Sequence, residues 1–138
     1  MNLVVIRSAD LERSLRFYAA LGITFLHEQH GSGPEHLAAT LGTVVLEIYP
    51  RGSLEKTIGV RLGFQVKALE TTIASVLAMN GTVVSPIQKS AWGLRAVVSD
   101  PDGHRIELLE VYTPSRHEFK SANLPLEDKS LASLQSNA

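Results

Sequence analysis

The chain is built twice from one unit, and the acidic residues of the two halves fall in register. Glu47 and Glu107 stand sixty residues apart, and Leu3 and Arg61 fifty-eight apart. Each half reads strand, helix, three strands. A repeat of this kind restricts the fold more than any motif does, because each unit must lay its helix on one face of its own sheet.

In the first half, Leu3 to Arg7 is a β-branched run. It places Val4 and Ile6 on one face, and Leu3, Val5 and Arg7 on the other. Asp10 is the expected N-cap of a helix carrying Leu11, Leu15, Phe17, Tyr18 and Leu21 on one stripe, and Gly22 ends it. Ile23 to Glu28 reads as a second strand. Gln29 to Pro34 is a loop by its glycines and proline. Glu35 to Thr40 and Thr43 to Tyr49 are the next two strands. In the latter, Thr43, Val45, Glu47 and Tyr49 lie opposite Val44, Leu46 and Ile48. Pro50 to Thr57 links the halves.

The second half starts with a strand over Gly59 to Lys67, its apolar face being Val60, Leu62, Phe64 and Val66. Leu69, Ile73, Val76 and Leu77 mark a helix that Asn80-Gly81 ends. Thr82 to Gln88 is a strand in which Pro86 predicts an edge or a bulge. A hairpin follows, Leu94 to Ser99 and Arg105 to Val111, around the turn Asp100-Pro101-Asp102-Gly103. Glu107 is mid-strand, on the face opposite Ile106 and Leu108. The expected fold is α+β: two βαβββ modules, 1–50 and 58–112, forming a half-open, cup-shaped mixed sheet with the helices on its outer face. Residues 113–138 read as a C-terminal tail, with Arg116 to Phe119 packing locally and Asp128 to Ala138 frayed.

Several chemistries are absent from the sequence. No cysteine is present, which excludes disulfides and thiolate nucleophiles. No G-x-S-x-G elbow, P-loop or G-x-G-x-x-G occurs. The net charge of −1 gives no footprint for nucleic acid. No stretch is long and apolar enough to span a bilayer. A cytoplasmic location is the default expectation.

D-L-E-R-S-L-R-F-Y-A-A-L-G at Asp10 to Gly22, V-V-L-E-I-Y at Val44 to Tyr49 and D-P-D-G-H-R-I-E-L-L-E at Asp100 to Glu110 appear in that order. Together they resemble the vicinal oxygen chelate superfamily, which includes glyoxalase I, bleomycin-resistance proteins and extradiol dioxygenases. The resemblance covers Leu3 to Val111. It implies a cup closed within one chain or across a dimer, with a homodimer favoured. It also implies that metal-dependent members draw four ligands from the first and last strands of each module. Those positions are Leu3, Glu47, Arg61 and Glu107 here. Leu3 has no donor atom, and Arg61 is a permanent cation. The residues therefore point away from a glyoxalase-type metal site, and no cofactor is expected.

The guanidinium of Arg61 is expected to bridge Glu47 and Glu107, either as a structural ion cluster or as the holder of an anionic or polar ligand. His36, on the strand face with Ala38 and Thr40, and Trp92, at the start of the hairpin, join them as candidate ligand-binding residues. Trp92 either walls the cup mouth or covers an edge. Arg7, Gln65, Arg95 and Tyr49 share the cup face. His27, His30 and His117, in or near loops, receive no role, and His104 is expected at the surface. The favoured function is capture of a small, partly apolar molecule. The alternative is a lyase, isomerase or dioxygenase with a divalent metal on Glu47 and Glu107 and a third donor such as His36.

Overall fold

The computed structural model describes residues 1–113, so the tail beyond Thr113, with the local packing and fraying expected there, lies outside the described residues. Module one comprises β1 (Leu3–Ser8), α1 (Leu11–Ala20), β2 (Leu26–Glu28), β3 (His36–Leu41) and β4 (Val44–Pro50). Module two comprises β5 (Arg61–Gln65), α2 (Leu69–Ala78), β6 (Thr82–Lys89), β7 (Gly93–Ser99) and β8 (Arg105–Val111). Their sheets have the same topology, β1-β4-β3-β2 and β5-β8-β7-β6. In each, the first and last strands pair in parallel and the other pairs run antiparallel. The fold is α+β, with two βαβββ modules, each an open four-stranded mixed sheet with its helix on one face.

Local chemistry sets the element ends. The Asp10 carboxylate accepts the Arg13 backbone N–H at 3.0 Å, which caps α1. Gly22, at φ +85°, turns the chain out of the helix. The strand expected from Ile23 pairs only from Leu26, because Ile23 and Phe25 are drawn down into the core. Pro86 lies in the edge strand β6, where the register slips between Val83 and Ser85 and again between Ser85 and Gln88. A residue without an N–H is tolerated at such an edge.

The helix-bearing faces of both sheets meet in one core. Ile6, Leu37, Leu46 and Ile48 enter from module one, and Ala96, Val98, Ile106 and Leu108 from module two. Tyr18 spans the two, edge-on to Phe17 and Phe25 in its own module and to Phe64 in the other. Its hydroxyl donates to Asp100 at 2.7 Å. The hairpin turn anchors the junction further, because Asp102 accepts from the Ala9 N–H at 2.8 Å and the Ser8 hydroxyl at 2.6 Å. The helix-free faces are therefore the open ones. No described helix is long and apolar enough to cross a membrane.

Candidate functional site

Strand alternation dictates which side chains reach the helix-free faces. In module two, β5 and β8 set Arg61, Gly63 and Gln65 beside Arg105, Glu107 and Leu109. Strand β7 adds Arg95 and Val97. Arg95 donates to Glu107 from Nε at 2.7 Å and from Nη2 at 3.1 Å. Nη1 of Arg61 stands 3.9 Å from the same carboxylate. The hydrogen bonds from Arg95 hold the Glu107 carboxyl below its ordinary range, against a smaller opposing effect of burial, and the charges of Arg95 and Arg61 act in the same direction. Glu107 in turn raises the Arg95 guanidinium. Arg61 and Arg95 border a recess of about 140 Å³ with Gln88, Lys89 and Val97.

In module one the same face carries Leu3, Val5 and Arg7 from β1, Val45, Glu47 and Tyr49 from β4, and Ala38 and Thr40 from β3. His36 is on this face, 1% exposed, with its ring stacked on Tyr49 at 4.2 Å between centroids. Its Nε2 is 4.0 Å from Oε1 of Glu47, too far for a hydrogen bond. The Arg7 guanidinium lies 5.8 Å from the centre of the Tyr49 ring.

The expected convergence of both glutamates on Arg61 is not made within the chain. Arg61 meets Glu107, whereas Glu47 lies in the other sheet beside His36. The reason is the shared core: the two modules join through their helix-bearing faces, so the faces carrying the glutamates stay apart. Trp92 is 71% exposed beside the start of β7. Arg95 acts on Glu107 at shorter range than Arg61 does. Its sequence signal was its place on the cup face, two residues before the partner of Glu107 across the ladder.

The four positions that supply a glyoxalase-type metal do not fit one here. Leu3 offers no donor, Arg61 is a cation, and Glu107 is already held at both oxygens by Arg95. Of the two carboxylates at these positions, Glu47 is the one with no arginine partner among the described ion pairs.

His104, expected at the surface, is instead 1% exposed. Its Nδ1–H donates to Asp100 at 2.8 Å, and Nε2 shares a hydrogen bond with the Thr57 hydroxyl at 2.6 Å. Thr57 accepts the Arg7 N–H at 3.0 Å. Both ring nitrogens of His104 are thus paired, and the residue after the turn glycine is drawn inward rather than left at the surface. Burial pushes the Asp100 carboxyl up, but the bonds from His104 and Tyr18 outweigh it and hold the group below its ordinary range. Burial, then Asp100, drives the Tyr18 hydroxyl well above its own. This network joins the modules and takes no part in the open faces.

The family model described as Glyoxalase/Bleomycin resistance protein/Dioxygenase superfamily matches residues 1–108. No curated protein sequence matches the chain significantly. Solved structures share the fold. A hypothetical protein, SA1046, from S. aureus superposes with a TM-score of 0.66 at 21% identity, over 79% of this chain and 91% of that one. A glyoxalase/bleomycin resistance protein from Albidiferax ferrireducens T118 gives 0.62 at 24% identity, over 79% and 96%. TnmS3, an antibiotic binding protein from Streptomyces sp. CB03234, gives 0.64 at 21% identity, over 81% and 95%.

Proposed function

Because the chain belongs to the glyoxalase/bleomycin resistance protein/dioxygenase superfamily, we propose that it captures a small, partly apolar molecule on its helix-free faces, without a glyoxalase-type metal site. The observation that carries this reading is the two-point grip of Arg95 on Glu107, with Arg61 beside it. A carboxylate so engaged is a poor metal ligand and a poor proton acceptor. The guanidiniums keep donors to spare, and the Arg61 side chain is 56% exposed. They suit a carboxylate, phenolate or other polar edge of a ligand. Pro86 and Val97 line the recess beside them, and the exposed Trp92 precedes β7, the strand that carries Arg95. TnmS3, named as an antibiotic binding protein, has the same fold, and this supports the ligand class.

The binding domain is residues 1–112, modules 1–50 and 58–112, and it works as a cytoplasmic homodimer. The support for a dimer is the state of the open faces: Leu3 is 47% and Val5 38% exposed beside Glu47. A second copy would cover them and bring the face of Glu47 and His36 against the face of Arg61 and Glu107. Arg61, Glu47, Glu107, His36 and Trp92 would then line one cavity.

The test is a thermal-shift and fluorescence screen of partly apolar aromatic antibiotics, bleomycin included, in excess EDTA. The expected result is a micromolar binder that quenches Trp92. A binder whose capture, or any turnover, requires a metal at Glu107 would replace this reading with the metalloenzyme alternative.

A further inference from the structure

The β2–β3 hairpin carries a second feature, apart from the arginine face. Glu28 ends β2, His30 opens the loop, and His36 begins β3. One ligand atom from each lies within 4.8 Å of the others. Glu28 Oε2 is 3.5 Å from Nε2 of His30 and 3.6 Å from Nε2 of His36. Glu47 Oε1 is 4.0 Å from Nε2 of His36 on the other side.

The independent observation is the state of His36. Its Nε2 is buried and has no hydrogen-bond partner, yet it is aimed between two carboxylates. Orphaned buried nitrogens are uncommon, and one facing this donor set needs an explanation. The other ring nitrogen, Nδ1, faces the Pro34 carbonyl at 3.3 Å. A proton on Nδ1 makes that contact and leaves the Nε2 lone pair free, which is the tautomer a metal ligand needs. Stacking on Tyr49 fixes the ring plane.

We propose that Glu28, His30 and His36 form a site for a divalent transition ion of the zinc–cobalt–nickel class, with solvent completing its coordination. Two imidazoles and one carboxylate are a donor set such ions accept. Metal–ligand bonds of about 2.0–2.1 Å put neighbouring donors of a tetrahedron about 3.3–3.4 Å apart. The two spacings from Glu28, 3.5 Å to His30 and 3.6 Å to His36, are close to this, and the exposed His30 and half-buried Glu28 can adjust to the buried His36. The ion would pin the loop from Gln29 to Glu35 to the ends of β2 and β3. Glu28, His30 and His36 lie on β2, β3 and the loop between them, so the site shares no ligand with the metal positions at Leu3, Glu47, Arg61 and Glu107.

The test is a Co²⁺ titration of the full chain with no organic ligand, followed by visible absorption and calorimetry. It is thus independent of the capture reading above. The expected result is one Co²⁺ per chain at micromolar affinity, with the strong visible bands of a low-coordinate ion. His36→Ala should weaken binding about a hundredfold, and His30→Ala and Glu28→Gln about tenfold each. Glu35→Gln, in the same loop but outside the cluster, should leave affinity unchanged. His36 is buried, so its variant can misfold; the two more exposed positions then carry the test alone. Millimolar binding in the parent, or parent-like binding in both His30→Ala and Glu28→Gln, overturns the proposal.

Discussion

Arg95 holds both oxygens of Glu107, and His36, at the equivalent place in the first module, holds neither oxygen of Glu47. Each residue stands two positions before the ladder partner of its glutamate, Val97 for Glu107 and Ala38 for Glu47. One ancestral geometry thus serves two electrostatic ends. Module two neutralises its carboxylate with a permanent cation, and module one leaves its carboxylate beside a titratable ring.

Arg95→Met should release the Glu107 carboxyl upward toward its ordinary range, because the hydrogen bonds from Arg95 are what hold it down. Carbon-detected NMR titration of the glutamates reads this directly. The pair is open to solvent, so stability should change little. An unchanged Glu107 titration would assign the shift to Arg61 instead.

Asp100→Asn should cost about 3 kcal/mol at neutral pH, the scale of breaking a buried, multiply bonded charge. The carboxyl is 1% exposed and accepts from Tyr18 and His104. The sign follows from the lowered carboxyl. A depressed native value means that the contribution is complete above the unfolded value and fades as pH falls through the native one. Denaturant melts of the parent should therefore lose stability below about pH 4, and the variant should show a flatter acid limb.

Asp102→Ala should loosen the junction between the modules. It removes the acceptor for the Ala9 N–H and the Ser8 and Ser14 hydroxyls. A loss of about 2 kcal/mol in chemical denaturation is expected, with faster hydrogen exchange at Ala9. A variant as stable as the parent would mean that the apolar core alone fixes how the modules meet.

Gly93→Ala should be among the most damaging small substitutions. At φ +153°, an added Cβ would stand 2.0 Å from the Glu110 carbonyl oxygen, so backbone must move. A loss of about 2–3 kcal/mol is expected, read as a lower melting temperature.

The order of elements, the cap of α1 and the faces of the strands were legible because they follow from short-range periodicity and from residues with special backbone demands such as Asp10, Gly22 and Pro86. The partners of the glutamates were legible only in part. Alternation put Arg61, Arg95 and His36 on the right faces, but nothing local tells whether two sheets join by their helix-bearing or their open sides. That choice is made by Tyr18, whose ring and hydroxyl both reach the second module. His104 illustrates the same limit. Its inward course depends on Asp100 and Thr57, one of them in the linker before β5. Glu28 reads only as the end of a strand and His30 receives no role in its loop, because only the hairpin fold brings them to His36.

Calorimetric titration of the tightest antibiotic from the screen, into the parent and into an Arg61→Ala/Arg95→Ala variant, each in excess EDTA, tests the central claim most directly. Capture through guanidiniums predicts the same dissociation constant in the parent with and without EDTA, and binding weaker by about a hundredfold in the double variant. Binding that vanishes in EDTA, or that persists undiminished without the two arginines, would contradict it.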